Sequence, residues 1–179
     1  MERQLVMRAQ SGDRDAFEQL ARPLTDRLFA IAYRILRNGP DAEDATQQAM
    51  LTIWRQLPKL RDPDRFDAWA YRLLTTAAYK EHRRQRGDRP SDELPESAEY
   101  DPYAAIAHRD QLERGFARLS VEQRAALVLQ HYLNLSHEEM AEVLAVPVGT
   151  VRSRLHGARS AMRAALEADA RPASDRSPA

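Results

Sequence analysis

The sequence predicts an all-α fold made of two small helical domains joined by a flexible linker. Glycines are few, and prolines fall between segments whose apolar residues repeat with helical spacing. Runs of β-branched residues alternating with polar ones, which are typical of strands, are missing. Residues 88–102 are polar and proline-rich, as linkers are. We therefore expect domains at 1–87 and 103–166, followed by a disordered tail at 167–179.

Four helices account for the first domain. The first is short and ends near Gly12, and Asp13 or Asp15 caps the second, which carries apolar residues at helical spacing. The second helix should end just before Gly39, because glycine readily takes the left-handed conformation that terminates helices. Asp41 is then expected to cap the third helix.

The third and fourth helices continue this pattern. The third carries apolar residues at four-residue spacing as far as Leu57. Pro63 suits the first position of the fourth helix, where no backbone N–H is needed. The apolar stripe of the fourth helix includes Trp69 and Leu73, so we expect the tryptophan in the core. Residues 80–86, at the end of this helix, are strongly basic.

The second domain carries a helix-turn-helix pattern. Ser136 can cap a short helix while Glu139, three positions later, reaches back in a capping box, and a turn follows at 145–147. Ser120 and Gln123 repeat the capping pattern at an earlier helix. The helices of this domain are expected at about 103–118, 120–133, 136–144 and 148–166.

The last of these helices has the chemistry of a DNA reader. No acidic residue occurs from Val148 to Leu166. In a helix-turn-helix protein the second helix lies in the major groove, where arginine can bind guanine through two hydrogen bonds. Inward positions are taken by apolar residues, which leaves six candidate DNA-binding residues outward or lateral: Thr150, Arg152, Ser153, Arg154, His156 and Arg159.

Composition excludes several classes of protein. The chain has no cysteine, which excludes disulfides and thiolate metal sites and suits a reducing cytoplasm. No segment approaches the roughly 18 apolar residues of a membrane span, and we expect a cytoplasmic protein without membrane insertion. Net charge is zero, but residues 1–87 carry +4 and residues 88–118 carry −4. Two mildly basic blocks are therefore separated by an acidic connector.

Neither catalysis nor a cofactor is expected. Asp41, Glu43 and Asp44 lie together, but no histidine is near them in the sequence to complete an acid–base or metal site. The histidines of the second domain are too scattered to bind zinc. We expect no catalytic residue, no metal and no cofactor.

Three segments together resemble the extracytoplasmic function (ECF) sigma factors of bacteria, which retain only sigma regions 2 and 4. Residues 41–55 are similar to the region 2 helix that docks on the clamp of RNA polymerase. Residues 66–84 are similar to the helix that reads and opens the minus-ten promoter element. Residues 119–159 are similar to region 4 and its minus-thirty-five reader. The resemblance implies a transcription initiation factor that binds core RNA polymerase and promoter DNA.

The resemblance also implies site residues. The polymerase-binding candidates are Asp41, Asp44, Gln47, Gln48, Leu51 and Arg55. The candidates for minus-ten DNA are Tyr71, Thr76, Tyr79, Lys80, Arg83 and Arg84, the tyrosines by stacking on exposed bases. Two structural alternatives stay open. Asp41 also fits a simple helix cap, and basic residues at a helix C-terminus also offset the helix dipole.

Departures from the family pattern lie in the same region. The family usually has an arginine–asparagine pair and then an acidic residue where this chain has Thr75, Thr76 and Lys80, and it often has glutamate where Gln48 stands. The resemblance implies one more partner, an anti-sigma factor that clamps both domains. Two other functions stay open: a free-standing helix-turn-helix regulator, and a sigma-like adaptor that no longer opens promoters.

Overall fold

Eight α-helices make up the part of the chain that the computed structural model describes, residues 3–88 and 106–170. They are α1 (Arg3–Gln10), α2 (Arg14–Leu36), α3 (Gly39–Gln56), α4 (Phe66–Asp88), α5 (Ile106–Ala117), α6 (Val121–His131), α7 (His137–Leu144) and α8 (Val148–Ala170). Single 3-10 turns at Leu57–Lys59 and Pro63–Arg65 connect α3 to α4. The all-α prediction is confirmed for these residues. The predicted linker lies almost entirely outside them, as does most of the predicted tail.

Helix boundaries in the first domain follow from side-chain caps. Asp13 caps α2 as predicted, its Oδ1 accepting from the backbone N–H of Ala16 at 3.0 Å. The prediction for the turn between α2 and α3 was wrong, because the residue with the left-handed conformation lies two positions earlier than expected. Arg37, with φ of 58°, takes the left-handed conformation expected of Gly39, and Asn38 replaces aspartate as the cap of α3. Its Oδ1 accepts from the backbone N–H of residue 41 at 3.0 Å, so a neighbouring asparagine outcompetes the aspartate.

The core of the first domain lies between α2, α3 and α4. Because α2 and α4 are each 23 residues long, they give this core most of its length. Its largest fully buried side chains are Leu20, Leu24, Leu28, Ile31, Ile35, Ile53, Leu57, Phe66 and Leu74. With α3 packed against both long helices, its opposite side is left to solvent.

In the second domain α5, α6 and α7 pack around α8. Both predicted capping boxes are confirmed, at Ser120 with Gln123 and at Ser136 with Glu139. Gly157 of α8 comes so close to α6 that a Cβ added there would lie 2.9 Å from Nε2 of Gln123. The small core between these helices contains Leu129, Met140, Val143, Val151, Leu155 and Ala158.

The two domains contact each other, because α6 and α7 pack on α2 and α4. This contact changes which residues of α4 are buried. Leu74 and Thr75 are buried, whereas the predicted core residues Trp69 and Leu73 are only partly covered. Leu74 belongs to the predicted apolar stripe, but the burial of Thr75 was not predicted, because a helix covered on two sides has a wider buried face than one stripe.

Of the helices within residues 3–88 and 106–170, none has the length and apolarity that crossing a membrane requires.

Candidate nucleic-acid and protein interfaces

The outer face of α3 carries the predicted polymerase-binding residues. Five of the six are exposed: Asp44, Gln47, Gln48, Leu51 and Arg55. The helix places them there because its inward positions are taken by Ala42, Ala45, Ala49 and Ile53. Leu51 remains 41% exposed, which is high for an aliphatic side chain. The face is thus mixed, with acidic, amide and apolar groups on one helix.

Asp41 occupies a different position from the other five residues. Its Oδ1 accepts a hydrogen bond from Nε2 of Gln85 in α4 at 3.0 Å, so the side chain ties α3 to α4. The capping role is filled by Asn38. The contact of Asp41 with polymerase stays a prediction, and within the domain this partly buried carboxylate already has a partner.

Trp54 belongs to this face although it was not among the predicted contacts. It is 51% exposed, and its ring packs edge-on against Phe17 of α2. A partial signal was present in the sequence, since Trp54 lies outside the four-residue repeat of Ala45, Ala49 and Ile53 that forms the buried stripe. Exposed tryptophans are typical anchors of protein interfaces.

Tyr71 is a correction to the predicted DNA surface. The side chain is only 6% exposed, and its hydroxyl accepts a hydrogen bond from Nη1 of Arg27 in α2 at 3.1 Å. Burial raises the pKa of the Tyr71 hydroxyl above its ordinary value. The ring cannot stack on a base while it is packed in this way, since stacking needs an accessible ring face and only 6% of Tyr71 is exposed.

Tyr79 lies one turn beyond Thr75, on the side of α4 that faces the second domain. Its hydroxyl is buried and has no hydrogen-bond partner among the described residues. Burial raises the pKa of Tyr79 to about 12, opposed in part by the nearby positive charge of Arg154 in α8. Tyr79 is thus partly covered by the helix-turn-helix domain rather than open to solvent.

The remaining minus-ten candidates form an exposed polar and basic surface. These residues are Thr76, Lys80, Arg83 and Arg84. Arg84 already contacts carboxylates, with Glu81 at 2.6 Å and Asp44 at 3.3 Å. A groove of about 420 Å³ between α3 and α4 is lined by Asp44, Gln48, Thr76, Lys80, Glu81 and Arg84. The predicted polymerase and DNA surfaces therefore meet along this groove.

The predicted DNA residues of α8 divide into two groups. Arg152, Ser153, His156 and Arg159 are exposed, while Thr150 and Arg154 are partly buried. Ser153 donates a hydrogen bond to the carbonyl oxygen of Thr150 at 2.9 Å, which fixes its hydroxyl against the helix. Arg159 donates to Oε1 of Gln130 in α6 at 2.9 Å. The exposed group thus offers cations and a histidine on one face.

Arg154 is partly buried, and its charge lies near Tyr79 of α4 and Glu122 of α6. Its Nη1 is buried without a hydrogen-bond partner among the described residues. Glu122 of α6 lies close to it. Burial opposes ionisation of Glu122 and so raises its pKa. Hydrogen bonds from its own backbone and from Ser120 lower the pKa, as do the positive charges of Arg154 and His82. Together these effects outweigh burial, and the pKa of Glu122 lies below its ordinary value. Of the positions expected to be outward or lateral, Arg154 is therefore lateral and partly buried.

Within the described ranges, no three histidine, aspartate or glutamate side chains are grouped so as to hold a metal ion. Three faces of the described residues are exposed: a mixed face on α3, a basic face on α4 and a basic face on α8.

Comparison with known proteins identifies the family of the chain. The sigma-70 region 2 family model matches residues 20–87, and the sigma-70 region 4 model matches residues 109–162. The chain is 34% identical over 183 aligned residues to the RNA polymerase sigma-H factor of Pseudomonas aeruginosa, covering 93% of this chain and 94% of the relative. It is also 34% identical to the ECF RNA polymerase sigma factor SigE of Mycolicibacterium smegmatis, covering 86% of this chain and 63% of the relative.

A solved structure shows the same architecture. The structure of CnrH in complex with the cytosolic domain of CnrY matches with a TM-score of 0.68 and 27% sequence identity, covering 94% of this chain and 98% of that one. Since the two family models together match more than half of the chain and its relatives align over nearly all of it, the chain belongs to the ECF sigma factors of the sigma-70 family.

Proposed function

We propose that this sigma factor binds core RNA polymerase through the outer face of α3 and promoter DNA through the basic end of α4 and the exposed face of α8. The observation that carries this proposal is that the exposed side chains of α3 and of α8 differ in chemical type. The face of α3 combines carboxylate, amide and apolar groups, whereas the exposed residues predicted on α8 include cations and no carboxylate. Different partners are suited to the two faces.

The face of α3 fits a protein partner. Leu51 and Trp54 expose apolar surface in the middle of polar neighbours, and an interface typically buries such an apolar centre inside a polar rim. Asp44 and Arg55 lie on the same side of the helix and supply that rim. We assign this surface to the polymerase clamp.

The exposed residues of α8 fit the minus-thirty-five element. Arg152 and Arg159 offer guanidinium groups that can bind guanine or phosphate, and Ser153 and His156 lie on the same exposed face. We assign α4, through Thr76, Lys80 and Arg83, to the minus-ten element. Lys80 adds a charge where the family usually has an acidic residue, which favours contact with the DNA backbone at this position.

Each domain then binds one promoter element. Residues 1–87 bind the polymerase and the minus-ten DNA, and residues 103–166 bind the minus-thirty-five DNA. Because the domains are covalently joined, binding of one raises the effective concentration of the other at its site. The polymerase supplies the chemistry, so the chain itself is not a catalyst, and we place its action in the cytoplasm. An anti-sigma factor that clamps both domains is the further partner that we infer from the family.

Run-off transcription with core polymerase on a library of promoters tests this function. We expect promoter-specific transcripts only when the chain is present. Asp44→Lys should lower transcription from all promoters alike, because it weakens polymerase binding, and circular dichroism should show an intact fold. Binding of DNA by the chain alone, with no transcription on any promoter, would contradict the proposal and favour a free-standing regulator.

A further inference from the structure

The guanidinium group of Arg159 is held by a side chain of a neighbouring helix. Nη2 of Arg159, in α8, donates a hydrogen bond to Oε1 of Gln130, in α6, at 2.9 Å. Arg159 is exposed, whereas Gln130 is partly buried and lies in the last turn of α6. An exposed arginine ordinarily samples many rotamers, so this hydrogen bond gives the Arg159 side chain a direction that it would not otherwise keep.

The orientation of the Gln130 amide follows from the chemistry of its neighbours. A guanidinium group only donates hydrogen bonds, so the amide oxygen must face Arg159. The amide nitrogen then faces Nε2 of His137, the first residue of α7, at 3.4 Å. Because the amide nitrogen is a donor, Nε2 accepts from it in a long hydrogen bond. His137 thereby opposes rotation of the amide, which would turn its donor toward Arg159.

The packing of α6 against α8 brings Gln130 to this place. A Cβ added at Gly157 of α8 would lie 2.9 Å from Nε2 of Gln123, so the two helices come close together just before Arg159. Gln123 and Gln130 are about two turns apart and so lie on the same face of α6. The close approach allows a glutamine side chain to reach the guanidinium group.

Arg159 shares one face of α8 with Arg152. The two residues are both exposed and lie about 10 Å apart along the helix axis, which is about two turns. On the proposed binding mode this separation corresponds to about three base pairs. Each arginine can therefore meet a different part of the minus-thirty-five element and contribute separately to the preference for a sequence.

A held guanidinium group distinguishes bases better than a free one. Gln130 uses one N–H donor of Arg159 and leaves the others, which can bind O6 and N7 of guanine as a pair. A free arginine would lose rotamer freedom on binding a base, and it reaches a phosphate as readily as a base edge. The held side chain of Arg159 has lost part of this freedom beforehand, which favours one direction of contact.

We propose that Gln130 is a positioning residue for recognition of the minus-thirty-five element, because it holds the guanidinium group of Arg159 in the direction in which Arg159 reads a base. The inference rests on the proposed DNA-binding role of α8. It adds that the preference for a sequence depends on a residue of α6 that acts through Arg159. Removal of Gln130 should therefore have no effect on this preference once Arg159 is absent.

Competition binding of the holoenzyme to two promoters tests this inference. The promoters differ only in the minus-thirty-five element, which is either preferred or scrambled, and the measured quantity is the ratio of the two affinities. Arg159→Ala should lower this ratio roughly tenfold, as expected for the loss of an arginine–guanine contact. Gln130→Leu, which has no acceptor for the guanidinium group, should lower the ratio roughly three- to tenfold.

Two charged variants separate positioning from attraction to DNA. Gln130→Glu keeps an acceptor for Arg159 but adds a negative charge, so both affinities should fall while their ratio stays within about twofold of wild type. Gln130→Lys removes the acceptor and adds a positive charge, so the affinity for the scrambled promoter should rise while the ratio falls. Charge alone predicts an unchanged ratio in both variants.

A double variant and a matched control complete the design. In the Arg159→Ala background, Gln130→Leu should lower the ratio no further, because no guanidinium group is left to position. His131→Leu changes the next residue of α6, which is exposed, and should leave the ratio at its wild-type value. Thermal melts of all variants measure any loss of stability separately from the ratio.

Three results would overturn the inference. The first is an equal loss of affinity on both promoters in Gln130→Leu. The second is a further fall of the ratio when Gln130→Leu is added to Arg159→Ala, since Gln130 would then read DNA itself. The third is a preference that Arg159→Ala leaves unchanged. Failure of the proposed function is seen separately, as a wild-type holoenzyme that does not distinguish the two promoters.

Discussion

The Trp54 and Phe17 rings meet edge-on, with 4.4 Å between their centroids and 71° between their planes, while 51% of the tryptophan stays exposed. Trp54→Ala should therefore weaken binding to core polymerase at least roughly tenfold, as expected for an anchor residue. The free energy of unfolding should fall by only about 1–2 kcal/mol, because the ring is only half buried. Fluorescence anisotropy with labelled polymerase and chemical denaturation measure the two effects.

Phe17→Leu is the matched control for this prediction. It removes the aromatic pair but leaves Trp54 in place, so stability should fall while polymerase binding is retained. Equal loss of binding in both variants would mean that the ring pair shapes the helix and that the indole does not contact the polymerase.

Tyr71→Phe tests the corrected position of Tyr71. The change removes the hydroxyl that accepts from Arg27, and we expect a loss of about 0.5–1.5 kcal/mol in the free energy of unfolding. Promoter opening at a temperature well below the melting point should be unchanged, because the ring is packed inside the first domain. If fewer thymines reacted with permanganate in this variant than in wild type, Tyr71 would belong to the DNA-binding surface after all.

Arg152→Ala distinguishes reading of sequence from attraction to phosphate. If Arg152 reads a base, the holoenzyme should lose roughly 1–3 kcal/mol of binding on the preferred minus-thirty-five sequence and much less on a scrambled one. Arg163→Ala is the control, since Arg163 is also exposed on α8 but lies three turns further along. Equal losses on both sequences, with a salt slope reduced by about one ion, would identify a phosphate contact instead.

The capping box at α7 predicts a pH effect. Hydrogen bonds from the backbone N–H and side chain of Ser136 lower the pKa of Glu139 below its ordinary value of 4.5. The folded state thus favours the ionised carboxylate, and this stabilisation is present above pH 4.5 and lost as the pH falls through the lowered pKa. Glu139→Gln should therefore lose less stability than wild type on acidification from about pH 5 to pH 3.

Thermal melts across that pH range measure the effect. Glu138→Gln, on the same helix turn but outside the capping box, should retain the full acid sensitivity of wild type. Identical pH profiles for wild type and Glu139→Gln would show that the cap does not depend on the charge.

Local patterns predicted the helices and both capping boxes, because a cap depends on residues three positions apart. They failed where distant segments meet. Tyr71 was expected to be accessible, and it is buried because α2 lies over it; Arg154, expected to be outward or lateral, is partly buried because the second domain packs on the first. The left-handed conformation of Arg37 was not predicted for another reason. The unfavourable backbone conformation of Arg37 is offset by the cap that the next residue, Asn38, forms on α3. Neither effect leaves a periodic signal in the sequence.

Gly157 limits how this protein can change its promoters during evolution. A side chain at that position would displace the amide group of Gln123, whose Oε1 accepts from the backbone N–H of Ser120 at 3.0 Å, and α6 would lose one of the two hydrogen bonds of its capping box. Substitutions at Arg152 or His156 meet no such neighbour, because both are exposed. On the proposed role of α8, we expect new promoter preferences to come from substitutions at its exposed positions, whereas residue 157 is expected to stay small because α8 lies close to α6 there.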